Sequence, residues 1–189
     1  MKTGILSMIL GLMIPLQCLA ANVDVRLSPS ETTILPGDST FVDLVGSYDG
    51  TDRLLGGAVS LGYRADLLTV LGVTLRAPSD VAGTTGSVVV SGDSGTVSGI
   101  GFASFAGVAG TFIIATVEFR SLGVSGISTL TAFDPGDPVY VWVNEAFNTV
   151  SFTSSPGSIT VSAIPEPGTV AMMLAGLAAL RVVARSRSV

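Results

Sequence analysis

The amino-acid sequence predicts a mainly β protein: a single two-sheet antiparallel β-sandwich of jelly-roll type, set between an N-terminal signal helix and a C-terminal transmembrane helix. Three observations predict it. Residues 22–163 show no apolar stripe at helical spacing. Short β-branched and aromatic runs recur there instead, broken by Gly, Pro, Ser and Asp about every 8 to 12 residues, which is the sandwich pattern. The uncharged apolar stretches that have no alternation lie at the two ends of the chain.

The first element is residues 1–21. Lys2 supplies a short positive region, residues 5–16 are almost wholly apolar, and Cys18-Leu19-Ala20-Ala21 offers small residues for cleavage after Ala20 or Ala21. An apolar run of about 12 residues is too short to span a bilayer, which needs roughly 20. The segment therefore reads as a removable secretory signal peptide. Cys18 is the only cysteine, so cleavage leaves a mature chain without disulfides that depends on its packed core.

The sandwich follows at residues 22–163. Val23, Val25 and Leu27 alternate, giving a first strand with one apolar face. Pro36-Gly37-Asp38 is a turn leading into a strand at 40–45. Val59, Leu61 and Tyr63 share a face of a strand at 58–63, and Leu67, Thr69, Leu71, Val73 and Leu75 share a face of one at 67–75. Runs at 87–91 and 96–102 flank Gly92-Asp93-Ser94-Gly95, a hairpin signal. Residues 112–119 are nearly continuous in apolar side chains and read as a central strand buried on both faces. Runs at 127–133, 139–143, 150–152 and 159–161 complete about nine or ten strands, with Ser154-Ser155-Pro156-Gly157 separating the last two.

The last element is residues 164–189. Pro165-Glu166-Pro167 is stiff, because each proline fixes its own φ, lacks an N–H and biases its predecessor toward extended backbone. Gly168 to Leu180 follows without a charge, then Arg181, Arg185 and Arg187. Thirteen residues rise about 20 Å against a hydrocarbon layer of roughly 30 Å. Val182, Val183 and Ala184 lengthen the span if Arg181 snorkels to the headgroups. The arginines form a cytoplasmic basic stop and place the sandwich outside. A marginal span of this kind suits a transient single-pass anchor.

In this order, the Pro-Glu-Pro motif, apolar helix and terminal arginines resemble the PEP-CTERM sorting signal of Gram-negative, exopolysaccharide-producing bacteria. The resemblance implies an exosortase, a membrane cysteine transpeptidase, as processing partner, with removal of the tail near the motif. It further implies a final location at the cell surface or in the extracellular matrix, including biofilm. Arg181 departs from the pattern by arriving before Val182 and Val183.

Composition narrows the chemistry. Residues 22–163 carry 13 Asp and Glu against five Arg, a net charge of −8, with no Lys, His or Cys. Phosphate recognition needs clustered cations, so nucleic acid is excluded as a partner. No imidazole base, Schiff-base amine, thiolate or His/Cys zinc site is available. Paired carboxylates of the glycosidase kind are the one remaining catalytic option, and a non-enzyme is the expectation.

The middle segment also resembles a cohesin domain, a jelly-roll-type sandwich related to cellulose-binding modules. The resembling features are Pro36-Gly37-Asp38 before a strand, Leu55-Gly56-Gly57 before the 58–63 strand, and the spacing from Tyr63 to Leu67, Leu68 and Val70. Gly110-Thr111-Phe112 opening the 113–119 strand and the closing Gly157-Ser158-Ile159-Thr160-Val161 match as well. The resemblance implies a protein-binding or structural face, with a dockerin-like module as partner, or alternatively a polysaccharide.

Two groups of residues are candidate ligand sites. Tyr140 and Trp142 lie two apart on one predicted strand and so share a face. They are either core packing or a solvent-facing stack for sugar rings. Asp49 and Asp52, and Asp134 and Asp137, sit in acidic loops able to offer oxygen ligands to calcium, although turns favour Asp and Gly in any case. Glu145 and Asn148 complete such a site only if the fold brings them near. No other cofactor is expected. The leading expectation is a non-catalytic surface protein; a carbohydrate-binding module and a carboxylate-dependent glycosidase are the rivals.

Overall fold

A computed structural model describes residues 21–136, 141–163, 168 and 172–177. The signal segment, the Pro165-Glu166-Pro167 motif, Arg181, Arg185, Arg187, Asp137 and Tyr140 lie outside the described residues. Residues 172–177 are helical, and among the described residues no helix is long and apolar enough to cross a membrane.

Among the described residues twelve strands form two facing sheets. They are β1 (Asn22–Pro29), β2 (Thr33–Ile34), β3 (Ser39–Tyr48), β4 (Leu54–Arg64), β5 (Leu68–Leu75), β6 (Ala82–Ser91), β7 (Ser94–Val108), β8 (Gly110–Ser121), β9 (Gly126–Phe133), β10 (Val143–Asn144), β11 (Ser151–Ser155) and β12 (Gly157–Val161). One sheet has the order β11-β1-β3-β8-β5. The other runs β2-β12-β9-β4-β7-β6, with β10 beside the start of β4. The N-terminal part of β4 pairs with β10 and its C-terminal part with β9.

The expected antiparallel pairing holds except at two places. β1 pairs parallel with β11, and β2 pairs parallel with β12. Each pair of consecutive strands, β1–β2 and β11–β12, passes from the five-stranded to the seven-stranded sheet. Pro29 and Pro156 stand at these crossings, where a residue without an N–H can leave a ladder at little cost. The two ends of the domain thus switch sheets side by side, which aligns them in parallel.

Alternation is legible in most strands. Val23, Val25 and Leu27 are buried, as are Val42 and Leu44 on β3. The turn before β3 is closed by a hydrogen bond from Asp38 N–H to Leu35 C=O of 3.1 Å, with Gly37 at φ +90°. This is the type II geometry that Pro followed by Gly favours. The β6–β7 hairpin turns on Gly92 and Asp93 alone, with Gly92 at φ +59°. A first central glycine of positive φ matches the hairpin-forming type II′ turn.

Two predicted faces are broken by bulges. The pairing of β5 with β8 shifts between Val70 and Gly72, leaving Leu71 as the extra residue. Val70, Val73 and Leu75 therefore pack on the core, whereas Leu71 is half exposed. The pairing of β3 with β8 shifts at Leu44 and Val45, so Ile114 is extra. Phe112 and Ile114 turn inward before the shift, and Ala115, Val117 and Phe119 after it. Ile113 is exposed, and β8 is buried on one face rather than two. A bulge adds one residue and so inverts the two-residue period beyond it.

The core lies between the sheets and is filled by Trp142, Phe119, Leu44, Leu61, Ile100, Ile114, Leu130 and Ile159. Its buried hydroxyls are satisfied. Ser121 Oγ accepts from Gly37 N–H and donates to Leu35 C=O, both at 2.7 Å, and Ser128 Oγ accepts from Arg64 N–H at 3.0 Å. Such pairing offsets the desolvation of polar groups in a sandwich interior.

Candidate functional site

Trp142 is 2% exposed, which excludes it as a solvent-facing sugar platform. It stacks on Phe152, with centroids 6.1 Å apart and planes 9° from parallel, and meets Phe102 edge-on at 6.3 Å. The sequence places it two residues from Tyr140 but does not say which face of the segment turns inward. Gly57 decides that, because its bare backbone makes the hollow that the indole fills. Among the described residues Trp142 Nε1 is a buried donor without a partner.

Asp49, Asp52 and Asp134 already accept hydrogen bonds from the protein. Asp49 Oδ1 accepts from Asn22 N–H at 2.6 Å, Asp52 accepts from the Tyr48 hydroxyl, and Asp134 Oδ1 accepts from Gly136 N–H at 2.8 Å. Burial and the Asp52 hydrogen bond together hold the Tyr48 hydroxyl above its ordinary pKa. The fold does bring Glu145 to the first loop: its N–H donates to Arg53 C=O at 2.8 Å, and its carboxylate accepts from Arg53 N–H at 3.2 Å. Asn148 N–H donates instead to Asn144 Oδ1 at 2.8 Å. Among the described residues no three acidic, His or Cys side chains converge as metal ligands.

A feature that the sequence reading missed lies on the outer face of the seven-stranded sheet. An apolar groove of about 510 Å³ runs across β4, β7 and β6 and under the segment entering β10. Its floor is nearly side-chain-free. A Cβ on Gly56 would sit 2.6 Å from Phe102 C=O, and one on Gly101 would sit 2.6 Å from the Ala58 Cβ. Leu55, Val81, Val141, Val143, Phe105 and Phe147 wall it, and among the described residues no charged side chain lines it. Phe105 is 80% exposed and Phe147 78%. Phe147 also holds φ +58°, a left-handed conformation that is an outlier for a bulky residue. Strain of this kind persists where surrounding structure enforces it, and it clusters at functional sites.

Phe105 lies where the pairing of β7 with β4 is interrupted between Ala103 and Val108, and side chains brace this stretch. Ser104 Oγ accepts from Ala106 N–H at 3.1 Å and from Gly107 N–H at 3.2 Å. The Asp80 carboxylate accepts from Phe105 N–H at 3.2 Å. Its hydrogen bond with Ser104, together with those from the backbone of Asp80, Phe105 and Ala106, outweighs burial and holds the Asp80 pKa below the ordinary carboxylate range. A sequence signal for the groove does exist: Gly99, Gly101 and Ala103 alternate with Ile100 and Phe102, so the small residues share one face of β7 and Phe105 ends the row.

The opposite outer face differs in character. Beside Phe41 and Ile113, Thr116 Oγ1 donates to Asp43 at 2.7 Å and accepts from Arg76 Nε at 3.2 Å. This shallow depression combines an exposed aromatic ring with a hydrogen-bonding row.

Two sheets in this strand order, linked at both ends by sheet-switching strands, match solved structures along nearly their whole length. The sandwich has the cohesin fold. The seventh ScaB type I cohesin of Pseudobacteroides cellulosolvens superposes with a TM-score of 0.57 at 15% identity, over 77% of this chain and 95% of that one. A cohesin–dockerin complex of Clostridium thermocellum, with OlpA as the cohesin, gives 0.55 at 12% identity over 75% and 99%. The non-cellulosomal cohesin of the archaeon Archaeoglobus fulgidus gives 0.52 at 15% over 75% and 92%. No family model matches the chain, and no curated protein matches its sequence. The shared feature is thus the cohesin-like backbone.

Proposed function

We propose that this protein is an exported, non-catalytic binding module whose cohesin-like sandwich docks a protein partner on the outer face of the seven-stranded sheet. The observation that carries the reading is the groove walled by Phe105 and Phe147 over a floor of bare backbone. Interface cores are poor in charge and rich in aromatic anchors set around pockets. Sugars need hydrogen-bonding side chains as well as flat faces. Among the described residues the only polar liners are Thr84 and Ser104, and the Ser104 hydroxyl is already engaged by the Ala106 and Gly107 amides. The occupant is therefore a protein with apolar side chains to insert, such as a dockerin-like module. Dockerin complexes among the similar structures support this choice.

Calorimetric titration of the chain against purified dockerin modules from the same genome tests the reading. Saturable binding that disappears in Phe105→Asp, with the thermal melt unchanged, is expected. Binding indifferent to Phe105→Asp, or binding to exopolysaccharide alone, overturns it. The Phe41, Asp43, Arg76 and Thr116 depression supports a second reading, a polysaccharide contact on the five-stranded sheet. Loss of polysaccharide binding in Phe41→Ala would favour that reading.

Delivery belongs to the chain ends. In this reading the leader exports the protein and the Pro165-Glu166-Pro167 segment is gripped by an exosortase-type enzyme. The apolar tail with Arg181, Arg185 and Arg187 anchors it briefly before release to the surface or matrix of a Gram-negative cell. Changing Pro165 and Pro167 together to Ala is expected to trap the full-length chain in the membrane. Unaltered processing of that variant, read by mass spectrometry of the mature protein, would refute the sorting claim.

A further inference from the structure

Strand β6 ends the seven-stranded sheet, and among the described residues nothing pairs with its outer edge. The inner face of β6 packs on Leu75 and Ser79 near Gly83. Beyond it the strand bends where Gly86 and Gly99, both at φ +75°, face each other across β6 and β7. The distal segment carries Val88, Val89 and Val90 at 50%, 56% and 59% exposure. Edge strands normally carry a lysine, a proline or an inward charge that blocks further pairing. From Ala82 to Ser91 this one has none.

The segment Gly86-Ser87-Val88-Val89-Val90-Ser91-Gly92 reads the same in both directions. Antiparallel pairing of two copies about Val89 sets Val89 against itself, Val88 against Val90 and Ser87 against Ser91, with Gly86 and Gly92, both of positive φ, meeting at either end of the ladder. Like meets like at every position, β-branched pairs being among the favourable cross-strand contacts. Shifting the centre by half a residue sets Ser87 against Val90 and loses the match. The nearest charge, Asp93, falls opposite Thr85 of the second copy, so the two acidic groups lie at opposite ends of the ladder. A two-fold contact of this kind closes on itself and does not propagate.

We propose that Ser87–Ser91, bounded by the positive-φ glycines Gly86 and Gly92, is a homotypic pairing edge through which two copies of this chain join their seven-stranded sheets, antiparallel about Val89. The ladder is short and buries far less than the roughly 1,600 Å² of a standard stable interface. Pairing is therefore weak in dilute solution and strengthens where molecules are crowded. It uses the sheet edge rather than the groove and stands or falls independently of the protein-docking reading.

Cysteine cross-linking in the full chain, recovered in detergent on a Cys18→Ser background, tests it. Under mild oxidation Val89→Cys is expected to give a covalent dimer on a non-reducing gel. Val88→Cys and Val90→Cys are each expected to give none alone but to give one when mixed. Val89→Lys should abolish self-association in sedimentation at high concentration while its circular dichroism matches the parent. No dimer with Val89→Cys, equal cross-linking at all three positions, or undiminished self-association of Val89→Lys overturns the proposal.

Discussion

Gly57 and Trp142 fit together as hollow and plug: a Cβ on Gly57 would overlap the six-membered ring of the indole. The contact ties β4 to the segment before β10, and through Phe152 and Phe102 it links both sheets. It also keeps Val141 and Val143, the neighbours of Trp142, on the groove side.

Gly57→Ala is therefore expected to destabilise the fold by about 1–3 kcal/mol, the usual cost of overpacking. Trp142→Ala should cost about 3–5 kcal/mol. Trp142→Phe should cost clearly less, because it also removes a buried N–H with no partner among the described residues. Urea midpoints at constant m-value report all three. Equal losses for Trp142→Ala and Trp142→Phe would contradict the hollow-and-plug packing.

Phe147 holds a left-handed backbone for a side chain that is 78% exposed, so its placement contributes little to the core. Phe147→Gly removes the strain while adding glycine's chain entropy, two terms of about 1 kcal/mol and opposite sign. The melting temperature should stay nearly constant while partner binding weakens. A large loss of stability would mean that Phe147 serves the fold.

Gly86 cannot carry a side chain comfortably, since its φ is +75° and a Cβ would lie 2.6 Å from Ser98 C=O. Gly86→Ala should cost about 1–3 kcal/mol, the scale of a strained backbone position. Denaturant unfolding measures it. A neutral outcome would mean that the hairpin bends elsewhere.

The Asp80 carboxylate has a folded pKa below the unfolded value of about 3.9. Its contribution is thus fully present above that value and is lost as pH falls through the folded pKa, because protonation then favours the unfolded form. Hydrogen exchange at the Phe105 amide should be protected near neutrality, and that protection should fail only as pH falls through the folded pKa, below the ordinary carboxylate range. Asp80→Asn should lose the protection at every pH. An amide exchanging fast at neutral pH in the parent would contradict the brace.

Much of the fold is legible in the chain itself. The Val23-Val25-Leu27 alternation, the Pro36-Gly37 turn and the Gly92-Asp93 hairpin are local, and each depends on backbone preferences within a few residues. The bulges at Leu71 and Ile114 are not, because a bulge exists only relative to a partner strand that the local pattern does not name. The parallel pairs β1–β11 and β2–β12 are hidden for the same reason.

By itself the sequence determined the class of the fold, the lack of His, Lys and Cys in the sandwich, and the distinct character of the two chain ends. These follow from composition and short-range periodicity. Tertiary structure alone decided that Trp142 is core, that Glu145 braces Arg53, and that Phe105 and Phe147, 42 residues apart, wall one groove. A site belongs to a surface, and which residues share a surface depends on pairings between segments far apart in the chain.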